Sequence, residues 1–204
     1  MRIAIIGTGN IGAGLGRAWA AKGHAIIFCV RDAADPEVAA LAREIGAAVT
    51  TIPEALPQAE VVVLAMPFGA VAAVAQALPD WTGRLVVDCT NPIGPGFVLL
   101  HGHTDSGAEA VARLMPGARV VKSFSAQGAE VLAHPVYDGV AASNFYCGDD
   151  AEAKAVVRQL VADVGFEPID AGGLTSARYL EPLTMLWITM SRSLGRDFAF
   201  KVLR

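Results

Sequence analysis

Three features of the sequence predict an α/β fold built on a doubly wound parallel sheet. Short apolar runs alternate with helix-period segments over most of the chain. The first run ends in a glycine turn that opens directly into a helix. Later runs stop at segments rich in proline, asparagine and glycine. Strands alternating with helices imply crossover connections, which are right-handed in a parallel sheet.

The elements follow in order. Arg2–Ile6 is a short apolar run closed by Gly7, as expected of a strand buried on both faces. Asn10–Lys22 carries Leu15, Ala18 and Trp19 at helical spacing, and Gly23 closes it. Ala25–Val30 is the second strand. A helix follows over Pro36–Ile45, with proline in its first turn and Gly46 after its end. Ala48–Thr51 reads as a strand, Pro53 as the start of a short helical turn, and Val61–Ala65 as a central strand. Pro67 opens a helix to about Ala77, and Leu85–Asp88 is the fifth strand. Residues 91–106 break the rhythm with Gly, Pro and polar groups and read as a long loop. Ser106 and Glu109 form a capping-box pattern at the head of a helix to about Leu114. Val120–Lys122 is a sixth strand, Gln127–Leu132 a short helix and Ala141–Cys147 another strand. Gly148–Asp150 caps a helix to about Val164, and Phe166–Asp170 is the final strand. Thr175 then caps a long apolar helix containing Pro182 and reaching about Leu194. The expectation is a Rossmann-type domain over 1–135, with a small C-terminal α/β extension over 136–204 that ends in this helix.

Composition narrows the function. Of the 204 residues 53% are apolar and 18% charged, and the formal net charge is −4 with no basic block. That argues against nucleic acid and anionic membranes as partners. The longest apolar stretches, 61–66 and Leu183–Met190, are too short to span a bilayer. The N-terminal apolar run stops at Gly7 with no cleavage-site pattern of a signal peptide. Cys29, Cys89 and Cys147 are odd in number, widely spaced and set in strand-like surroundings. They read as reduced core thiols of a cytoplasmic protein, not as a disulfide framework.

The strongest motif is Gly7–Thr8–Gly9–Asn10–Ile11–Gly12, a G-x-G-x-x-G placed between a strand and a helix. Gly7 permits the tight turn, Gly9 lets the backbone approach a pyrophosphate, and Gly12 lets the helix pack close to the strand. Free N–H groups and the positive helix end then favour the phosphate charge. Cofactor choice is read at the end of the second strand. An acidic residue there would bond the ribose hydroxyls of NAD, but this chain has Val30 and then Arg31. The planar fork of Arg31 suits a 2′-phosphate, which favours NADP(H); the following Asp32 is the rival that would favour NADH. Two more strand ends face the expected crevice. Ala65, Met66, Pro67 and Phe68 end the fourth strand, with Met66 and Phe68 suited to pack on the nicotinamide half. Asn91, before Pro92, suits the ribose or the carboxamide.

At these residues the chain resembles the NADPH-dependent reductases of the deazaflavin coenzyme F-420, and also the nucleotide-binding domain of the STEAP metalloreductases. The likeness runs through Gly7–Gly12, Val61–Pro67, Asp88–Pro92, Val120–Ser125, Cys147–Asp150 and Asp170–Leu174, and is extended by Arg178, Glu181 and Pro182. It implies direct hydride transfer between NADP(H) and a deazaflavin or flavin whose flat ring stacks on the nicotinamide. Such transfer needs proximity and orientation more than a protein acid or base. It also implies that the position of Arg31 meets the 2′-phosphate and that Ser125 lies beside the nicotinamide. STEAP-like members carry Asn at the Ser125 position and archaeal deazaflavin reductases carry His, so acceptor identity stays open there. Lys122 and Ser125 are candidates for acceptor contacts, with a strand-end surface lysine as the other reading of Lys122. His101 and His103 with Asp105 lack a third ligand at a diagnostic spacing, so no metal site is assigned. The expected partner is a small-molecule hydride acceptor, with a homodimer formed through the last helix. Two other readings share the N-terminal domain: a non-catalytic NADP(H) sensor, and a small-substrate dehydrogenase or imine reductase.

Overall fold

A computed structural model describes the chain except for residues 31, 33 and 34. From the N-terminus come β1 (Arg2–Ile6), α1 (Asn10–Ala20), β2 (Ala25–Cys29), α2 (Pro36–Ile45), β3 (Ala48–Thr50), α3 (Ile52–Ala55), β4 (Val61–Leu64), α4 (Val71–Ala75) and β5 (Leu85–Asp88). There follow β6 (Ile93–Gly94), β7 (Val98–Leu99), α5 (Gly107–Leu114), β8 (Arg119–Ser123), α6 (Ala129–Ala133), β9 (Val136–Tyr137) and β10 (Val140–Ala141). The chain continues with β11 (Ser143–Gly148), α7 (Ala151–Val164), β12 (Glu167–Asp170) and α8 (Ala177–Leu194).

Eight strands form one sheet in the order β12-β11-β8-β5-β4-β1-β2-β3. Six of them, from β3 to β8 across the sheet, run parallel, and β12 is parallel to β11. β11, which lies in the predicted C-terminal extension, runs antiparallel to β8, so the sheet is mostly parallel. Between β8 and β11 lie only the five-residue α6 and a two-stranded hairpin. The β9–β10 hairpin then turns tightly at Asp138 and Gly139, whose φ values are 49° and 80°. The chain therefore enters β11 from the end at which it left β8.

Alternation along the strands feeds two cores, one on each face of the sheet. Ile3, Ile5, Val61, Val63, Leu85 and Val87 pack with Leu15 and Trp19 of α1 and Val157 and Leu160 of α7. Ala4, Ile6, Val62, Leu64 and Val86 pack on the other face with Val74, Trp81, Val111 and Leu180. Trp19 stays satisfied in the interior by donating Nε1–H to the Leu160 carbonyl at 2.9 Å. All three cysteines are free and buried. Burial pushes the Cys29 and Cys147 thiols up to about 12, so they remain protonated at neutral pH and pack as small apolar groups.

Local differences from the expected elements have simple causes. The 91–106 segment contains a hairpin in which Ile93 faces Leu99 and Gly94 faces Val98; two-residue strands leave no periodicity to read. Pro67 is followed by a 3₁₀ turn over Phe68–Ala70 before α4 begins. Thr175 lies within a 3₁₀ turn, and α8 starts at Ala177 without a side-chain cap. The 18-residue α8 is amphipathic: it buries Leu180, Glu181, Thr184 and Trp187 and exposes Tyr179, Leu186 and Leu194. The other two predicted caps hold. Ser106 Oγ accepts from the Glu109 amide at 3.1 Å, and Asp150 accepts from the Ala153 amide at 2.7 Å. No described helix is long and apolar enough to cross a membrane.

Candidate functional site

Strand order reverses at β1, with β2 and β3 on one side and β4 and β5 on the other. A crevice therefore opens at the carboxyl ends of β1 and β4, where open α/β sheets take ligands. The glycine turn forms its floor. Gly7 has φ +103°, and a Cβ there would stand 2.5 Å from the Ala65 carbonyl oxygen at the end of β4. A Cβ on Gly12 would stand 2.0 Å from the Gly7 carbonyl oxygen, so the first turn of α1 lies directly on the strand end. Gly9 is the opposite case: nothing lies within 4 Å of its Cβ position. It is the N-cap of α1 and offers no side chain to the helix end, so the first-turn N–H groups stay available to an anion. Thr8, Asn10 and Ile11 complete the turn, with Asn10 exposed and Thr8 and Ile11 half-buried.

Beside the turn lies a cavity of about 600 Å³, lined by Gly7 and Thr8 after β1, Cys29 and Val30 of the β2 end, and Met66 and Pro67 after β4. Asp32 and Asp35 lie at its margin. The structure thus brings the glycine turn and the β4 end together around one apolar space. Ala65 joins the turn from below and donates its amide to the Ile6 carbonyl at 2.9 Å. The phosphate-clamping residue inferred from the sequence, Arg31, lies outside the described residues.

Phe68 is held apart from this cavity. Its ring meets His101 edge-on at a centroid distance of 5.6 Å, which ties the start of α4 to the 91–106 segment. His101 Nδ1 is 3.1 Å from Asp105 Oδ2, and Asp105 accepts two bonds from the Arg113 guanidinium at 3.0 and 2.7 Å. Among the described residues, no three His, Cys, Asp or Glu side chains gather as a metal would need. Arg113 holds the Asp105 carboxyl down at about 2, below its unfolded value of about 3.9. The depressed value stabilises the fold above about pH 4, and that contribution is lost as pH falls toward 2. Asp105→Asn is therefore expected to be less stable than the parent at pH 6 and much closer to it at pH 2, measured by urea unfolding at both values. An unchanged difference at the two pH values would contradict this.

The other half of the crevice rests on β5 and β8, whose register sets Asp88 beside Lys122. Both are fully buried, as is Glu181 of α8. Lys122 Nζ donates to Asp88 Oδ2 at 3.0 Å and to the Thr90 carbonyl, and lies 3.2 Å from Glu181 Oε1. Burial alone would push the Lys122 ammonium down, but the two carboxylates overcome it and hold the group above its ordinary value. Asp88 Oδ1 also takes the Thr90 amide and hydroxyl, at 2.9 and 2.6 Å. The second carboxylate is compensated by the N-terminus of α5: Glu181 accepts the Gly107 and Ala108 amides at 2.8 and 3.0 Å. Lys122 is thus an interior charge rather than an acceptor contact or a surface lysine. Asp88, Glu181 and Thr184 are absent from the sequence-derived site, although charged residues ending the apolar strands LVVD and RVVKS were a signal for the first.

Asn91 and Ser125 do meet. Asn91 Nδ2 donates to the Ser125 carbonyl at 3.2 Å, and Thr184 Oγ1 donates to the same oxygen at 3.0 Å. Phe124, just before Ser125, is buried with φ +55°, a conformation rare for a bulky residue that needs firm surroundings. Asn144 on β11 supplies part of that support, its Oδ1 accepting the Ser123 hydroxyl at 3.0 Å and the Phe124 amide at 3.5 Å. Asn91 Oδ1 and Gln127 Nε2 are buried without a hydrogen-bond partner. Asn91 Oδ1 is thus an orphan acceptor, and a primary carboxamide N–H is the kind of donor it lacks. Together with the open Gly9, that acceptor suits a nicotinamide dinucleotide.

Comparison with known proteins agrees with this geometry. The family model for "NADP oxidoreductase coenzyme F420-dependent" matches residues 2–92. The F420-dependent NADP reductase of Methanothermobacter thermautotrophicus is 30% identical over 208 residues, covering 94% of this chain and 89% of that protein. The metalloreductase STEAP3 of Rattus norvegicus is 30% identical over 187 residues, covering 91% of this chain; the chain spans 37% of that relative's length. A crystal structure of a candidate F420-dependent NADP reductase from Arthrobacter sp. FB24 superposes with a TM-score of 0.88 at 31% identity, covering 99% of both chains.

Proposed function

Because the chain belongs to the coenzyme F420-dependent family of NADP oxidoreductases, we propose that it moves hydride between NADP(H) and a deazaflavin or flavin whose ring stacks directly on the nicotinamide. The glycine turn carries this reading, since it is tight at Gly7 and Gly12, open at Gly9 and set beside an apolar cavity at the strand-order reversal. In the proposed complex the α1 N-terminus, from Gly9 to Gly12, holds the pyrophosphate. Met66 and Pro67 cover the cofactor from the β4 end. Asn91 Oδ1 accepts from the carboxamide, and the Phe124–Ser125 turn sets the floor on which the nicotinamide lies. When bound, the dinucleotide supplies a hydride from its dihydropyridine carbon to a ring atom of the acceptor, whose ring nitrogen takes a proton from water. The protein's part is to align the two rings and exclude water from between them.

Anaerobic mixing with NADPH and a panel containing a deazaflavin, a flavin, a cyclic imine and a hydroxyacid's keto form tests the reading. Loss of nicotinamide absorbance with the deazaflavin or the flavin is expected. Oxidation only by the imine or keto acid, or by none, contradicts it.

Arg31 is assigned to the 2′-phosphate. Removing a charge-assisted bond of this kind costs about 1.5–3 kcal/mol, or roughly 10–100-fold in affinity. Arg31→Ala is accordingly expected to raise the Kd for NADPH by that factor and to leave NADH within about twofold. Equal losses for the two cofactors would contradict the assignment. We assign the 136–204 region to the acceptor side and to self-association in the cytoplasm, through the exposed Tyr179, Leu186 and Leu194 of α8. A mass of two chains by light scattering supports this, and a mass of one contradicts it.

A further inference from the structure

We propose that Glu181 and Thr184, one turn apart on α8, are positioning residues that fix Asn91 for the nicotinamide, so that α8 governs hydride transfer without touching the cofactor. The inference rests on reading the crevice as an NADP(H) site. Two buried routes lead from α8 to Asn91. Along the first, Glu181 holds Lys122 at 3.2 Å, and Lys122 donates to the carbonyl of Thr90, the residue before Asn91. Along the second, the Thr184 hydroxyl donates to the Ser125 carbonyl at 3.0 Å, and the Asn91 side-chain amide donates to that same oxygen at 3.2 Å. The two routes fix the backbone entering Asn91 and the nitrogen end of its amide. What remains is Asn91 Oδ1, buried and without a partner.

An acceptor held in this way has one orientation, and that suits recognition of a carboxamide N–H better than a freely turning asparagine would. The packing is correspondingly tight. A Cβ on Gly107 would stand 3.0 Å from the Pro92 ring, next to Asn91, and 3.1 Å from Glu181 Oε1. The α5 start, the Asn91–Pro92 segment and α8 thus share one contact point. None of the pyrophosphate-binding turn takes part in it, so the adenosine half should bind independently of it.

Separation of the two halves of the cofactor provides the test. Thr184→Val keeps the shape and removes the hydroxyl, Thr184→Ser keeps the hydroxyl, and Glu181→Gln removes the charge facing Lys122. Proton NMR of NADP⁺ titrated with each protein reads adenine and nicotinamide resonances separately. In the parent protein both sets are expected to broaden. In Thr184→Val and Glu181→Gln the adenine protons should stay broad, with Kd within about twofold, while the nicotinamide protons sharpen toward the free ligand. Single-turnover hydride transfer should fall about tenfold in both, with the parent rate restored to within about twofold in Thr184→Ser. Nicotinamide protons as broad as in the parent, or a fall in melting temperature with no change in line widths or transfer rate, would overturn the proposal. Absence of any broadening in the parent protein would instead overturn the NADP(H) reading itself, so the two failures are distinguishable.

Discussion

Lys122→Met is expected to lower the free energy of unfolding by about 3–5 kcal/mol, the cost of stripping one partner from a buried ion cluster. Methionine fills much of the same volume, so lost packing is a minor part. What remains is two buried carboxylates, on Asp88 and Glu181, with the cation between them gone, and a Thr90 carbonyl without its donor. For a domain of this size the loss corresponds to a drop in melting temperature on the order of 10 °C. Glu181→Gln should cost less, because Lys122 keeps Asp88 at 3.0 Å, although only one of the two α5 amides, which Glu181 takes on separate oxygens, keeps an acceptor. Denaturant unfolding of both variants checks the pair. A loss below about 1 kcal/mol for Lys122→Met would mean that the cluster carries no such buried charge.

Gly9→Ala is expected to leave the fold intact and abolish most of the cofactor affinity. Gly9 has φ −66° and ψ −175°, which alanine adopts freely, and its Cβ direction is open. Restricting the unfolded chain would even favour the folded state by about 0.4–1 kcal/mol. The methyl group, however, projects into the space where a pyrophosphate must approach the α1 amides. A weakening of NADPH binding by about 100-fold, close to 2.7 kcal/mol, with an equal or slightly higher melting temperature, is the predicted pair of results. Gly12→Ala provides the contrast. Its Cβ would collide with the Gly7 carbonyl at 2.0 Å, so stability and affinity should fall together. Unchanged NADPH affinity in Gly9→Ala would show that the turn is structural only.

The turn was legible in the sequence because its cause is local: a strand, three spaced glycines and a helix follow one another between Arg2 and Ala20. The strand ends at Met66–Pro67 and Asn91 were legible for a related reason, since each terminates an apolar run. The charged cluster was not. Asp88 and Lys122 become neighbours only through the register of β5 against β8, and Glu181 joins them from 59 positions beyond Lys122. No periodicity along the chain encodes that meeting. The reversal of β11 was hidden for the same reason, since it shows only in the pairing of β11 with β8. Phe124 illustrates a third limit. Nothing in Lys122–Ser125 announces a positive φ at a phenylalanine, yet that turn presents the Ser125 carbonyl to Asn91 and Thr184.

The most direct measurement follows one atom. NADPH deuterated at the nicotinamide carbon that delivers hydride, mixed anaerobically with the protein and an oxidised deazaflavin in ordinary water, should yield reduced deazaflavin carrying the deuterium on the ring carbon that replaces the flavin nitrogen. One label should appear per NADP⁺ formed, because directly stacked rings exchange no hydrogen with solvent. Tight NADPH binding with no label in the deazaflavin, or reduced deazaflavin with its label lost to water, would contradict the account.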